Sequence, residues 1–207
     1  MSRIRNPDYT RGVLLDAAAA EIHRNGFQAA SLGDILETAG VTKGALYHHF
    51  QDKTALGYAV LDERITADIV RTWAEPLDAE GNPVDTLVAI IAETTAVLSD
   101  EDIALGCPLN NLAVEMSPVD EGFRDRINDV YVAWYSALAL ALARGQDEGT
   151  VRADVDPAAA AVFVIGALAG ARSMAKHAQS ADVLNSSVGC LLDYIQGLRA
   201  RPSGGRR

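Results

Sequence analysis

The chain reads as an all-α protein of about nine helices, and three observations point that way. Apolar residues recur every three or four positions over long stretches, as in Phe123, Ile127, Val130, Trp134, Leu138 and Leu142. That is the period of one buried helix face. Capping residues stand directly before prolines at Asn82-Pro83, Ser117-Pro118 and Asp156-Pro157, a pairing that opens helices. No strand-like alternation of useful length appears, and no internal repeat.

Taken in order, Arg3 and Arg5 precede Pro7 in an arm expected to be flexible. A first helix is expected from about Asp8 to Asn25, with Leu14, Ala18 and Ile22 on one stripe and Ala17 beside them; Gly26 ends it. A second runs from about Leu32 to Ala39 behind Ser31, an N-cap with Asp34 three residues on. Gly40 follows, where a left-handed residue is cheap only for glycine. Thr42 caps a third helix from Lys43 to about Phe50. Leu46 and Phe50, four apart, share its buried face, which leaves Lys43, Tyr47 and His48 on others.

Asp52 caps a long helix to about Ala74, with Leu56, Val60, Ile69, Val70 and Trp73 as its expected core residues. The cap–proline pairs then open helices at about Pro83–Leu98, Pro118–Gly145 and Pro157–Ala178, and a last helix spans about Ala181–Leu198. The helix at 157–178 is apolar nearly all round in its first four turns, so more than one of its sides is expected to be covered. Gly166 and Gly170 leave one face bare, where another helix can approach. The tail 201–207 is too polar and glycine-rich to order by itself.

At 207 residues the chain is long enough for one domain or two small ones with a real core. Its 49% hydrophobic and 22% charged residues fit a soluble helical protein. The longest apolar run, Pro157 to Ala171, falls short of the roughly 18 to 20 residues that cross a bilayer. No basic, apolar leader opens the chain, so no secretion signal is expected, and two cysteines form no disulfide framework. A reducing, cytoplasmic location is the expectation.

A net charge of −10 argues at first against binding DNA. The charge is unevenly spread, however. Residues 1–53 carry six basic and six acidic side chains, so the remaining 154 hold 12 basic against 22 acidic. A neutral headpiece with its cations on one side can still meet DNA, while an acidic body is repelled by it.

Two short helices joined by a glycine turn form a helix-turn-helix, whose second helix lies in the major groove. The string Ile35, then Ala39-Gly40-Val41-Thr42-Lys43-Gly44-Ala45-Leu46-Tyr47-His48-His49-Phe50, then Lys53 and Leu56 resembles the TetR-type transcriptional regulators. The match covers roughly the first quarter of the chain.

The resemblance implies a helix-turn-helix domain at 1–53 and a ligand-binding and dimerisation domain at 54–200. It assigns Lys43, Tyr47 and His48 to base edges or phosphates, and Thr42, His49 and Lys53 to the backbone. Ser31 lies near a phosphate, and Gly44 belongs to the same set. His48 stands where the family more usually has an aromatic. Lys53, with the free N–H groups of its helix N-terminus, makes a phosphate site. The resemblance further implies a homodimer through the helices at about 157–178 and 181–198. It also implies a repressor that leaves double-stranded operator DNA when a small molecule enters the body.

The most unusual stretch is Ala104–Glu115. Gly106-Cys107-Pro108 places a thiol near a short helix's N-terminus, where a thiolate is favoured. Asn110, Asn111 and Glu115 add polar groups to an apolar region. Members of the family that respond to electrophiles or oxidants look similar here, with a lysine matching Lys176 beyond a pair like Gly170-Ala171. Cys107 thus reads either as a reactive thiol facing Lys176 or as a small buried hydrophobe. Trp134, with Tyr131 and Tyr135, reads either as a pocket wall or as core.

No cofactor, metal or enzymatic activity is expected. His48 and His49 are adjacent and point about 100° apart on a helix. His23 and His177 have no partner at ligand spacing, and no phosphate loop or recognisable nucleophile occurs. The rival reading is a helical carrier or enzyme for apolar small molecules that retains a helix-turn-helix-like hairpin.

Overall fold

Side-chain caps set the helix boundaries. The computed structural model describes residues 7–201, so the arm with Arg3 and Arg5 and the tail beyond Arg201 lie outside the described residues. Among these residues nine α-helices of seven residues or more occur, and the lone extended pairing is an isolated bridge between Val151 and Arg199. The all-α expectation holds. Helix α1 spans Pro7–Asn25, α2 Leu32–Ala39, α3 Lys43–His49 and α4 Lys53–Val60. Ser31, Thr42 and Asp52 cap the last three as their sequence positions demand.

The long helix expected to end near Ala74 has a more varied structure. A π-helical stretch at Leu61–Ile65 follows α4; then come α5 (Thr66–Ile69), a second π-helical stretch at Val70–Ala74, and α6 (Glu75–Asp78). The second has a local cause. Pro76 has no N–H to offer one turn back, so the regular ladder cannot run through it. Trp73 is buried as expected, but Ile69 is half-buried and Val70 exposed.

Further on come α7 (Pro83–Ala96), α8 (Asp100–Leu105), α9 (Pro108–Met116), α10 (Glu121–Asp147), α11 (Pro157–Ala178) and α12 (Ala181–Gln196). Helix α8 is an addition to the sequence reading, opened by a capping box of Ser99 and Asp102. Helix α10 begins at Glu121, not at Pro118. The N–H of Ser117 still bonds back to Ala113 at 3.3 Å, so Ser117–Val119 closes α9. Asp120 opens α10 instead, its Oδ1 accepting from the N–H of Phe123 at 2.8 Å.

The chain divides into two compact units. One holds the chain up to Asp68 together with Pro108–Val130; the other holds Ile69–Cys107 and the chain from Tyr131 onward. The domain boundary expected at residue 53 therefore falls inside the first unit. In that unit Leu14, Leu15, Ala18, Ile35, Leu46, Leu56 and Phe123 are almost fully buried. Gly57 of α4 makes the centre of this packing possible. A Cβ there would lie 2.4 Å from the Phe27 ring and 2.7 Å from that of Phe123. Those two rings meet edge-on at 4.6 Å, and Tyr58 meets Phe123 at 4.8 Å.

In the second unit, the core stripe of α11 (Ala160, Ala161, Val164, Ile165, Leu168) and that of α12 (Leu184, Val188, Leu191, Ile195) are buried. The other side of α11 stays uncovered, with Phe163 51% and Met174 57% exposed. Phe163 and Tyr194 of α12 pack ring to ring at 4.5 Å. A Cβ added at Gly166, Gly170 or Gly189 would meet nothing. The 22 residues of α11 are long and apolar enough to cross a membrane by length and composition, which the shorter run 157–171 is not. Its burial along one side is that of a helix packed within a helical body.

Candidate nucleic-acid interface

The helix-turn-helix is built from local bonds. Ser31 accepts from the N–H of Asp34 at 3.3 Å, and Thr42 Oγ1 accepts from that of Ala45 at 3.3 Å. Between them Gly40 takes φ 62° and ψ 33°, the left-handed turn that separates α2 from α3. Ile35, Leu46 and Phe50 turn inward. Their burial fixes the opposite side of α3 outward, where Thr42, Lys43, Gly44, Tyr47 and His48 are exposed and His49 is half-buried.

Lys43 and Tyr47 are neighbours one turn apart, the ammonium 5.8 Å from the ring centroid. The rings of His48 and His49 stand 5.1 Å apart at an interplanar angle of 70°. Short and convex, this surface carries a cation, a phenol and an imidazole, donors and acceptors suited to base edges and phosphates.

Lys53 is held more firmly than the sequence implies. Its Nζ donates to the carbonyl oxygen of Gln28 at 3.0 Å and lies 5.1 Å from the centroid of the Phe27 ring. Opposite it on the same turn, the Glu115 carboxylate accepts from the N–H groups of Phe27 and Gln28, each at 2.8 Å. Glu115, which the sequence reading groups with the effector site, braces the turn that leads into α2. Both its oxygens are taken by the backbone between α1 and α2.

A second carboxylate supports the entry to α2. Glu21 accepts from the N–H of Ser31 at 3.0 Å and from Asn25 at 2.9 Å. The Ser31 bond, then the Asn25 bond, hold its carboxyl below the usual range. Helix α1 is fastened to the segment after α4 by two ion pairs, Arg11 with Glu63 and Arg64 with Asp16, the second at 2.6 Å. Sequence reasoning missed Glu21 and Glu115, whose carboxylates accept from backbone N–H groups of other segments, and Gln28, whose backbone meets the side chains of Lys53 and Glu115.

The six residues expected to line one effector site are divided between the units. Asn110, Asn111 and Glu115 lie on α9 of the first, whereas Cys107, Trp134 and Lys176 belong to the second. Trp134 is 6% exposed, packed at a tilt of 56° against Trp73 at 4.9 Å and near-parallel to Tyr131 at 6.4 Å. Burial, and to a lesser degree Cys107 and Tyr135, pushes the Tyr131 hydroxyl far above its ordinary range. Cys107 is half-buried. The carbonyl of Gly106 just before it accepts from Arg172 Nη2 at 2.9 Å, one helical turn before Lys176. Among the described residues no group of three or more His, Cys, Asp or Glu is placed to hold a metal ion.

Comparison with known proteins adds two matches to family models. Residues 14–60 match the bacterial regulatory proteins of the tetR family, and residues 83–188 the tetracyclin repressor-like C-terminal domain. The HTH-type transcriptional repressor DhaR of Mycobacterium sp. strain GP1 is 32% identical over 147 residues, 70% of this chain and 72% of the repressor. The HTH-type transcriptional repressor NemR of Escherichia coli is 26% identical over 194 residues, 94% of this chain and 96% of NemR. The crystal structure of reduced NemR superposes with a TM-score of 0.79 at 28% identity, over 94% of this chain and 99% of that one. A TetR transcriptional regulator from Chloroflexus aurantiacus gives 0.81 at 27% identity, over 96% of this chain and all of that one.

Proposed function

Because this chain belongs to the tetR family of bacterial regulatory proteins, we propose that it is a dimeric repressor of transcription that a small molecule releases from its operator. The observation that carries the reading is α3, whose inner face is sealed by Leu46 and Phe50 while Lys43, Tyr47 and His48 face solvent. In the proposed complex Lys43, Gly44, Tyr47 and His48 enter the major groove. Thr42, His49, Lys53 and Ser31 hold the phosphates that set its register. A gel shift with DNA from around its own gene tests this. Lys43→Ala and Tyr47→Ala should abolish the shift with helicity unchanged. No shift at low salt with any sequence would favour a carrier or enzyme instead.

Charge supports the dimer. The 23 residues from Ser31 to Lys53 carry two lysines, and Lys53 is partly engaged by Gln28. One such headpiece neutralises few phosphates. Two copies at a fixed separation multiply that weak grip and read half-sites about one helical turn apart, or a multiple of it. The uncovered face of α11 and α12, with Phe163, Met174 and Tyr194 around three glycines, is the proposed two-fold interface. An operator on the chromosome places the protein in the cytoplasm. The effector acts by favouring the state whose headpiece spacing misfits the operator.

For the effector, the site proposed is the thiol of Cys107 with Tyr131, Trp134 and Lys176 around it, and the effector class is electrophilic or oxidising. Support comes from the half-buried thiol beside Tyr131, from the Arg172 tie that holds Gly106, and from the likeness to NemR. Mass spectrometry after mild electrophile or hypochlorite should find Cys107 modified as the gel shift is lost, and Cys107→Ser should keep the shift. An unmodified Cys107 under these conditions, with DNA binding intact, sinks the reading.

A further inference from the structure

The second unit carries a half-open groove of about 420 Å³ between α6 and α10, and none of its lining residues belongs to the effector site proposed above. Its floor is Ala133, Ala137 and Ala141, four apart on one face of α10, where no side chain extends beyond Cβ. From Ala133 to Arg144 the groove follows eleven residues of helix, about 16 Å. Leu140 forms its outer wall and is 69% exposed, a large apolar side chain left in water. On the α6 side Glu75 and Asp78 stand one turn apart, both exposed.

Arg144 closes one end, its guanidinium turned toward the end of α6. Its Nη2 donates to the carbonyls of Leu77 at 2.7 Å and Ala79 at 3.0 Å, where α6 ends. Glu75 and Asp78 line the α6 side of the groove, beside an apolar trough long enough for a chain of about eight to ten carbons. The volume lies within the range of small-molecule sites, about 300 to 1,000 Å³. We propose that this groove binds a cationic amphiphile, an alkyl or aryl body with one ammonium or guanidinium group. The apolar body lies on the alanine floor against Leu140, and the cation lies between Glu75 and Asp78. An anionic amphiphile of the same length is repelled by the same carboxylates.

Isothermal titration of the full chain with octyltrimethylammonium, octanoate and octanol provides the test. Trp73 and Trp134, the chain's two tryptophans, adjoin the lining residues Ala74 and Ala133 and give a parallel fluorescence readout. The ammonium compound should bind at least tenfold more tightly than octanoate, and more weakly at high salt. Glu75→Gln and Asp78→Asn, both at exposed positions, should each weaken it about two- to fivefold. Ala137→Leu should fill the groove and abolish binding, and Leu140→Ser, at an exposed site that leaves the fold intact, should weaken it. Cys107→Ser should leave it unchanged, which separates this groove from the effector site. Equal binding of octanoate, no binding of any of the three, or an affinity unmoved by the two charge-removing substitutions overturns the proposal.

Discussion

Glu115 and Phe27, 88 residues apart, are joined by a 2.8 Å hydrogen bond from the Phe27 N–H to the Glu115 carboxylate, and Gln28 donates to the other oxygen. The turn that leads into α2 is therefore held from outside the helix-turn-helix. Glu115→Gln keeps the shape but offers one acceptor to two N–H groups. A loss of about 1.5–3 kcal/mol is expected, as for a bond to a charged group. Urea denaturation measures it, and operator affinity should fall with it while helix content at low denaturant stays the same.

Gly57→Ala tests the packing centre of the same unit. Alanine ordinarily gains about 1 kcal/mol over glycine inside a helix. Here its Cβ would meet the Phe27 and Phe123 rings at 2.4 and 2.7 Å, so the rings must separate. A net destabilisation of about 1–3 kcal/mol is expected, seen as a lowered Tm. An unchanged or raised Tm would mean that the two rings yield freely.

Asp120 links pH to stability. Its carboxyl accepts from the Phe123 N–H and then from the Tyr58 hydroxyl, and both bonds hold it below the ordinary aspartate range. A depressed folded pKa means that the stabilisation is complete above the unfolded value of about 4 and disappears as pH falls through the folded value. Tyr58→Phe removes one donor. The Asp120 pKa, followed by NMR titration, should rise toward its ordinary value, and stability at neutral pH should fall by about 1 kcal/mol.

The face of α11 offers a test of assembly without a test of folding. Phe163→Glu and Met174→Glu place charges at positions already exposed in the single chain, so thermal unfolding at low concentration should change little. Light scattering should show a monomer, and operator affinity should drop at least tenfold as avidity is lost. A dimer that survives both substitutions would move the interface elsewhere.

Much of this molecule was legible in the residues because its signals are local. Ser31, Thr42 and Asp52 each bond an N–H three residues on, and Phe123 to Leu142 follow one helical period. The errors are local as well. Ser117-Pro118 carries a helix-opening signal that the closing turn of α9 overrode by taking up Ser117–Val119, and the Ser99–Asp102 box opens a helix only six residues long. Val70 fits an apolar stripe in a regular helix, but it opens a π-helical stretch and is exposed.

By itself the sequence determined the all-α class, the helix-turn-helix and which face of α3 is outward, since a cap, a left-handed glycine and a spacing of four are settled within a few residues. Tertiary structure alone decided that Glu115 serves the α1–α2 turn, that Lys53 is tied to Gln28, and that Asp120 joins Tyr58 to the start of α10. Those bonds join groups 25 to 88 residues apart. Nothing in a short window specifies them, because they exist only once the packing of Phe27, Gly57 and Phe123 has brought the segments together.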